Sequence, residues 1–440
     1  MHYRLTVVAL LFLTLSVPSA LKAQAATTQK DPLQRDTLNL TIRQVEELFL
    51  KNNLDLVTQR YNIDIAKAQV ITAKLFDNPQ FSFENVLYNP SNNKFLDFGK
   101  GYGDNTGQYQ AAISQLFLLA GKRNKNIKLA NIGVQQAEYQ YFDLLRTLRY
   151  TIRSDFYTIY YQQQSANVYT EEINSLKKTL EIFEAQYAKG NIAEKEVLRI
   201  KSQLYSLQTE LNDLKDGMED TQSELKVLTR TNPSAYIKAV DEQTAPDKDA
   251  VSKVTYTTLI DSAYNNRNDI KIAKSVIDYS DLNLRLQKAM AVPDLTVSVT
   301  YDKQGSYQNN YSGLGVAFPL PFLNRNQGNI KAAKVAVDAS KTALLSQQDQ
   351  VSNDVANGYE QALRLEKLYN SFDPNFPRDF NHLIAEVYKN YEKRNISLLE
   401  FLDFYDSYKT NSLQMNSILQ NRRTTLENLN FVTATPFFNN

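Results

Sequence analysis

No proline interrupts the chain between Pro90 and Pro233, and between Gly121 and Ala188 the only glycine is Gly133. Proline and glycine are the residues a helix tolerates least. The stretch from Gly121 to Ala188 can therefore run as one helix, about 100 Å long at ~1.5 Å per residue. Helices of globular domains rarely exceed about 20 residues, so this length points to a coiled coil or a bundle of long rods. Beyond Gly190 the apolar spacing tightens. Ile200, Leu204, Leu207, Leu211, Leu214, Met218, Leu225 and Leu228 follow steps of four and three, with only Thr221 breaking the series. Such a seam specifies a helix packed along another rod; the plainer alternative is a long amphipathic helix in an ordinary bundle.

The pattern then starts again. Thr231 to Lys253, with Pro233 and Pro246 among Asp and Lys, reads as a linker. Beyond it, Asp269-Ile270 repeats Asp55-Leu56 and Pro293 repeats Pro79, both at an offset of 214. Ile330-Lys331 repeats Ile127-Lys128 at 203, and Tyr391 to Ile396 with Glu400 and Leu402 repeats Tyr187 to Ile192 with Glu196 and Leu198 at 204. Nearly constant offsets predict an internal duplication: repeat 1 over 38–230, the linker 231–253, repeat 2 over 254–432 and a tail 433–440.

Each half also carries two segments of alternating character. Phe81, Phe83 and Leu87 alternate with Ser82, Glu84 and Tyr88, while Tyr109, Ala111, Ile113 and Phe117 alternate with more polar neighbours. In the second half Leu295, Val297, Val299 and Tyr301 alternate with Thr296, Ser298, Thr300 and Asp302, and Leu314, Val316, Phe318 and Leu320 form a fourth run. Strands are expected at about 79–90, 107–118, 293–303 and 310–320, near the ten-residue length of a tilted membrane strand. Polar loops separate them, Asn89 to Gly107 and Lys303 to Asn310. No helix start follows Gly99, Gly101 and Gly103, so they read as an exposed loop rather than a phosphate cradle. Four strands cannot close around a lumen. Either the sheet packs on helices in a soluble domain, or several chains pool their strands.

Met1 to Ala25 reads as a secretory signal peptide, with Arg4, the apolar run Leu5 to Leu15 and Ala23-Gln24-Ala25, rather than a retained membrane anchor. No later segment approaches a transmembrane helix, so any membrane crossing falls to β-strands. The 49 Lys+Arg against 48 Asp+Glu leave no basic surplus for nucleic acid. With no Cys, disulfides, thiolate metal sites, a cysteine nucleophile and a lipid-modified N-terminal Cys are excluded, and an unlipidated mature N-terminus is expected. Only His2 and His382 occur; His382 reads as solvated rather than as a metal ligand. Neither a catalytic constellation nor a cofactor or metal motif is present, so an enzyme is not expected.

Taken together, the Leu40-Thr41-Ile42 helix start, Asn53 to Leu56, the strand entries at Pro79 and Pro293 and the paired Asn-Ile-x-x-x-Glu-x-Leu tips resemble the TolC family of outer-membrane efflux channels over essentially the whole mature chain. Phe318 to Gly328 is similar to the strand-to-helix junction of its CzcC-like heavy-metal cation branch. The resemblance implies a mainly α fold with a small β part: long coiled-coil hairpins and four transmembrane strands per chain. It further implies a homotrimer closing a 12-stranded barrel in outer-membrane lipid above a periplasmic α-barrel, a periplasmic adaptor protein and an inner-membrane pump, expected to be of the RND type. Such a chain is a passive exit duct of a tripartite efflux pump. The alternatives are the duct of a type I protein secretion system, or a periplasmic coiled-coil adaptor or scaffold with no channel. Asp373-Pro374-Asn375-Phe376-Pro377 departs from the first half and predicts a break in the second rod.

The resemblance places Gly190, Asn191, Ile192 and Arg394, Asn395, Ile396 at helix-turn-helix tips that contact the adaptor; a turn that merely reverses the chain is the simpler role for any one of them. Gly190 suits the left-handed conformation that ends a helix and Arg394 does not, so a symmetric pair of tips does not follow from the sequence. It also places Glu400 and Asp403 where the family carries a pair of acids lining its closed aperture. Their i, i+3 spacing puts them on one helix face. In a trimer they would form a ring that attracts cations. Arg199, the repeat counterpart of Asp403, and Lys195 are candidates to pair with those acids from a neighbouring hairpin and hold the gate shut.

Overall fold

The computed structural model describes residues 36–99, 107–241, 247–304, 308–373, 375–393 and 395–438. The signal segment Met1 to Ala25, Gly101, Gly103, Pro246, Pro374, Arg394 and the last two residues of the tail lie outside the described residues. The chain opens with β1 (Thr37–Leu40), α1 (Ile42–Asn52) and α2 (Leu54–Lys74), followed by β2 (Gln80–Asn85), the short strands β3 (Tyr88–Asn89) and β4 (Lys94–Phe95), and β5 (Tyr109–Phe117). Then come α3 (Lys122–Ala188), α4 (Glu194–Thr229) and β6 (Tyr236–Ala239). The second half runs α5 (Tyr256–Asn266), α6 (Asn268–Met290), β7 (Leu295–Gln304), β8 (Asn309–Ala317), α7 (Gln327–Asn370), α8 (Phe376–Glu392) and α9 (Leu398–Thr433). Among the described residues no helix is long and apolar enough to cross a membrane.

The long proline-free stretch is one helix. α3 has 67 residues and starts immediately after Gly121, which takes a left-handed φ of 66°. Its counterpart is split at the proline-bearing segment, where α7 ends at Asn370 and α8 begins at Phe376. The heptad series on α4 is its packed face: Ile200, Leu204, Leu207, Met218, Leu225 and Leu228 are buried. At the break the seam passes from Thr221 to Gln222, whose buried Oε1 accepts the Ile237 N–H at 3.1 Å.

The order of elements in the first half recurs in the second. α4 and α9 both have 36 residues and end in left-handed caps, Arg230 and Ala434. One residue both ends α1 and starts α2, and the same holds for α5 and α6. Asn53 donates Nδ2 to the Leu228 carbonyl at 3.0 Å. Arg267 donates Nη1 to the Val432 carbonyl at 3.3 Å and to Asp354 at 3.0 Å. Each half thus ties its short-helix corner to the end of its own long return helix. Among the described residues the apolar cores lie in four places, one of them a small cluster of Phe183, Val197 and Ile200 at the end of the α3–α4 hairpin. Of the others, one joins α1, α3, α4 and β6; one joins α5, α6, α7 and α9; and one, around Leu176, Leu207, Phe401 and Tyr405, joins the two hairpins near their tips.

The four expected strands form one antiparallel sheet in the order β2-β5-β7-β8. Its register puts Phe81, Ile113, Val299 and Leu314 in one row, and they are 68%, 55%, 59% and 75% exposed. The next row on the opposite face is Ser82, Ala112, Thr300 and Gly313. Lys122 pins the sheet to the helices by donating Nζ to Asp294 Oδ1 and the Val292 carbonyl, both at 2.7 Å.

Several boundaries differ from the sequence pattern. The first strand stops at Asn85, and Leu87 lies outside it; Tyr88 instead starts a separate hairpin, its ring 4.9 Å from that of Phe95 and its hydroxyl donating to Asn93 at 2.6 Å. The fourth ends at Ala317, because Pro319 and Pro321 have no N–H to continue the ladder. Lys303, where the expected third strand meets the loop, belongs to β7 and is 7% exposed. Its Nζ donates to the carbonyls of Phe98, Gly99 and Gly107 at 2.7, 2.9 and 3.0 Å, fastening the first strand-to-strand loop to the rim of the sheet. The segment that reads as a linker contains β6, which pairs parallel with β1. Gln163 completes the other edge of β6, accepting from Ala239 N–H and donating to the Ile237 carbonyl.

Candidate functional site at the helical tips

α3 ends and α4 begins around Gly190, which takes a φ of 72°. The Asn191 N–H returns to the Gln186 carbonyl at 3.0 Å, and Asn191 Nδ2 donates to Gln186 Oε1 at 2.8 Å. Between α8 and α9 the Asn395 N–H returns to the Asn390 carbonyl at 2.9 Å, and Asn395 Nδ2 donates to Asn390 Oδ1 at 3.2 Å. The two tips therefore share one bonding pattern, carried by Gln186 and Asn390 together with the asparagines. Asn191 and Asn395 are exposed, while Ile192 and Ile396 are partly buried beneath them.

Between the tips lies a cavity of about 510 Å³, lined among others by Phe183, Ile192, Glu196, Tyr391, Ile396 and Leu398. Tyr391 stacks between Phe401, 4.2 Å away centroid to centroid, and Phe183 at 5.9 Å. Its hydroxyl is buried and meets no hydrogen-bond partner among the described residues. Burial, with the Glu196 carboxylate nearby, raises its pKa well above the ordinary phenol. The repeat counterpart Tyr187 is 45% exposed, so the two hairpins are not interchangeable here.

Lys195, Arg199, Glu400 and Asp403 are all exposed, and among the described residues none forms an ion pair within the chain. Glu400 is already engaged locally. The Ser397 N–H and hydroxyl each donate to Glu400 Oε2 at 2.8 Å, and the Glu400 N–H donates to Ser397 Oγ at 3.2 Å, closing a capping box at the start of α9. These bonds hold its carboxyl below the usual carboxylate range, so it is ionised at neutral pH. His382 is exposed on α8.

The sequence matches the outer membrane efflux protein family over residues 46–229 and 259–370, more than half the chain. The chain belongs to that family. Similarity extends to the cobalt-zinc-cadmium resistance protein CzcC of Cupriavidus metallidurans, 19% identical over 307 residues that make up 70% of this chain and 69% of CzcC. The fold is that of solved channels. The Campylobacter jejuni CmeC outer membrane channel aligns with a TM-score of 0.69 at 15% identity, covering 90% of this chain and 86% of CmeC. The outer membrane protein VceC of Vibrio cholerae gives 0.68 at 16%, covering 90% and 96%.

For this outer membrane efflux protein, sequence reasoning missed Tyr391 and the capping role of Glu400. Ser397-x-x-Glu400 is itself a legible signal. Tyr391 carried none, because only the packing of two hairpins buries it.

Proposed function

We propose that this efflux protein is the passive exit duct of a tripartite pump. Three copies contribute four strands each to a twelve-stranded outer-membrane barrel, and their long hairpins form a tube directed into the periplasm. One observation carries this: the sheet exposes an apolar row (Phe81, Ile113, Val299, Leu314), and β2 and β8 have no strand on their outer edges among the described residues. A lone sheet of this kind is an aggregation hazard, and closure with further copies removes both edges and gives the apolar face to lipid. A non-channel scaffold would leave that face unexplained. The tips and the cavity between them are the surface we assign to the adaptor. The similarity to CzcC favours divalent metal ions as cargo. Cells lacking the chain are expected to become sensitive to cobalt, zinc or cadmium and to regain resistance on complementation; unchanged metal resistance with new sensitivity to organic drugs would overturn the cargo assignment.

The gate assignment has its own test. Glu400→Gln combined with Asp403→Asn removes both charges, while Gln at the third helical position preserves the capping box. Single-channel conductance in planar bilayers is expected to rise, or its block by divalent cations to weaken. Traces identical to the parent would withdraw Glu400 and Asp403 from the gate, and Arg199 and Lys195 with them.

A further inference from the structure

Glu172, on α3 above the tips, is 3% exposed, and neither carboxyl oxygen has a hydrogen-bond partner among the described residues. Every element packed against it adds titratable groups. Tyr169 and Glu171 come from α3 itself, Glu210 from α4, and Tyr405, Asp406, Tyr408 and Lys409 from α9. Lys409 is 9% exposed and already committed, lying 3.2 Å from Glu210 Oε2 and 3.1 Å from Asp406 Oδ1. Tyr405 shares its hydrogen bond with Ser175 at 2.9 Å. Among the described residues Glu172, Glu210 and Asp406 thus share the one ammonium of Lys409, and the deepest of them, Glu172, is the one left over.

An ionised carboxylate buried without a counter-ion is costly, so the packed seam favours the neutral acid. We infer that Glu172 is a proton-operated latch between the two hairpins: protonated, it lets α9 close on α3, and ionised, it drives that seam apart. The sign follows from linkage. A carboxyl whose pKa is higher packed than free stabilises packing on the acid side and loses that contribution as pH rises. Burial, opposed by Lys409 and reinforced by Asp406 and Glu210, pushes Glu172 up to about 8. The latch depends on packing within one chain and stands apart from the duct proposal, since a chain that conducts nothing would still show it.

The chain has no Cys and no Trp, so a fluorophore and a quencher can be placed without background. Ser165 with Asn416 and Ser175 with Tyr405 bridge α3 to α9 on either side of Thr170 and Thr410, both exposed. The full-length detergent-solubilised protein carries bimane on Thr170→Cys and the quencher at Thr410→Trp, with a chain lacking the Trp as reference. Quenching is expected at pH 6 and should be lost as pH rises through about 8. Glu172→Gln should stay quenched to pH 9. Glu210→Gln, which frees Lys409 to pair with Glu172, should suppress the loss as well; because Glu210 is partly exposed, this variant decides the matter should Glu172→Gln fail to fold. Flat quenching in the parent, or an equal loss of quenching in either variant, would overturn the latch.

Discussion

Val299→Arg or Leu314→Arg is expected to remove the protein from the outer membrane. Both side chains sit in the exposed apolar row, 59% and 75% exposed, at the centre of β7 and β8. Arginine on the lipid face of a barrel strand costs about 2–4 kcal/mol at the bilayer midplane, and in the proposed trimer three copies bring this to roughly 6–12 kcal/mol per assembly. That is comparable to the whole stability of a small domain. Ser114→Arg, on the opposite face of the sheet between Gln80 and Ser298, places the same charge on the face the proposed barrel turns to its lumen and is the matched control. Fractionation should find the lipid-face variants depleted from outer-membrane trimer and Ser114→Arg retained there with altered conductance. Full membrane levels of Val299→Arg would mean that this face meets something other than lipid.

The second large effect lies where α3 meets α1 and α9. Arg153 on α3 donates Nη1 to Glu46 Oε1 of α1 at 3.1 Å and Nη2 to Glu427 Oε1 of α9 at 2.7 Å. The side chains of Arg153 and Glu427 are 7% and 8% exposed, so the pair joins the two halves with little help from water. Arg153→Ala leaves Glu427 buried without its main counter-charge, which costs about 3–5 kcal/mol. Because the penalty comes from the stranded acid, Arg153→Met with Glu427→Leu should recover most of the loss. Denaturant unfolding at fixed protein concentration measures both. A single variant as stable as the parent, or a double variant as weak as the single, would refute this role.

How much of this was legible beforehand depended on whether the information was local. The 67-residue α3 could be read from absent breakers, and the packed face of α4 from its spacing, since helix breaking and amphipathic periodicity act over a few residues. The four long strands could be read from alternation for the same reason. β1 and β6 could not: each has four residues, and their parallel register links segments far apart in sequence. Lys303 stood at the strand-to-loop boundary with no sign of its role, because a lysine gives no hint that three carbonyls will cage it. At the tips Arg394, itself outside the described residues, left a symmetric pair open, and the Asn191 and Asn395 backbone and side-chain bonds follow one pattern. Among the gate candidates Glu400 and Asp403 came from the resemblance and Arg199 and Lys195 from the repeat, and the structure puts all four on the surface without joining them. Glu172 was passed over because one more acid on a charged helix has no signature until a neighbouring hairpin buries it.

The most direct measurement is an electron cryo-microscopy reconstruction of the protein extracted from outer membranes. The expected particle has threefold symmetry, with twelve strands closing one barrel and Phe81, Ile113, Val299 and Leu314 turned to the detergent belt above a hollow helical stalk. A monomeric particle, or one whose four-stranded sheet is covered by its own helices with no lumen, would contradict it.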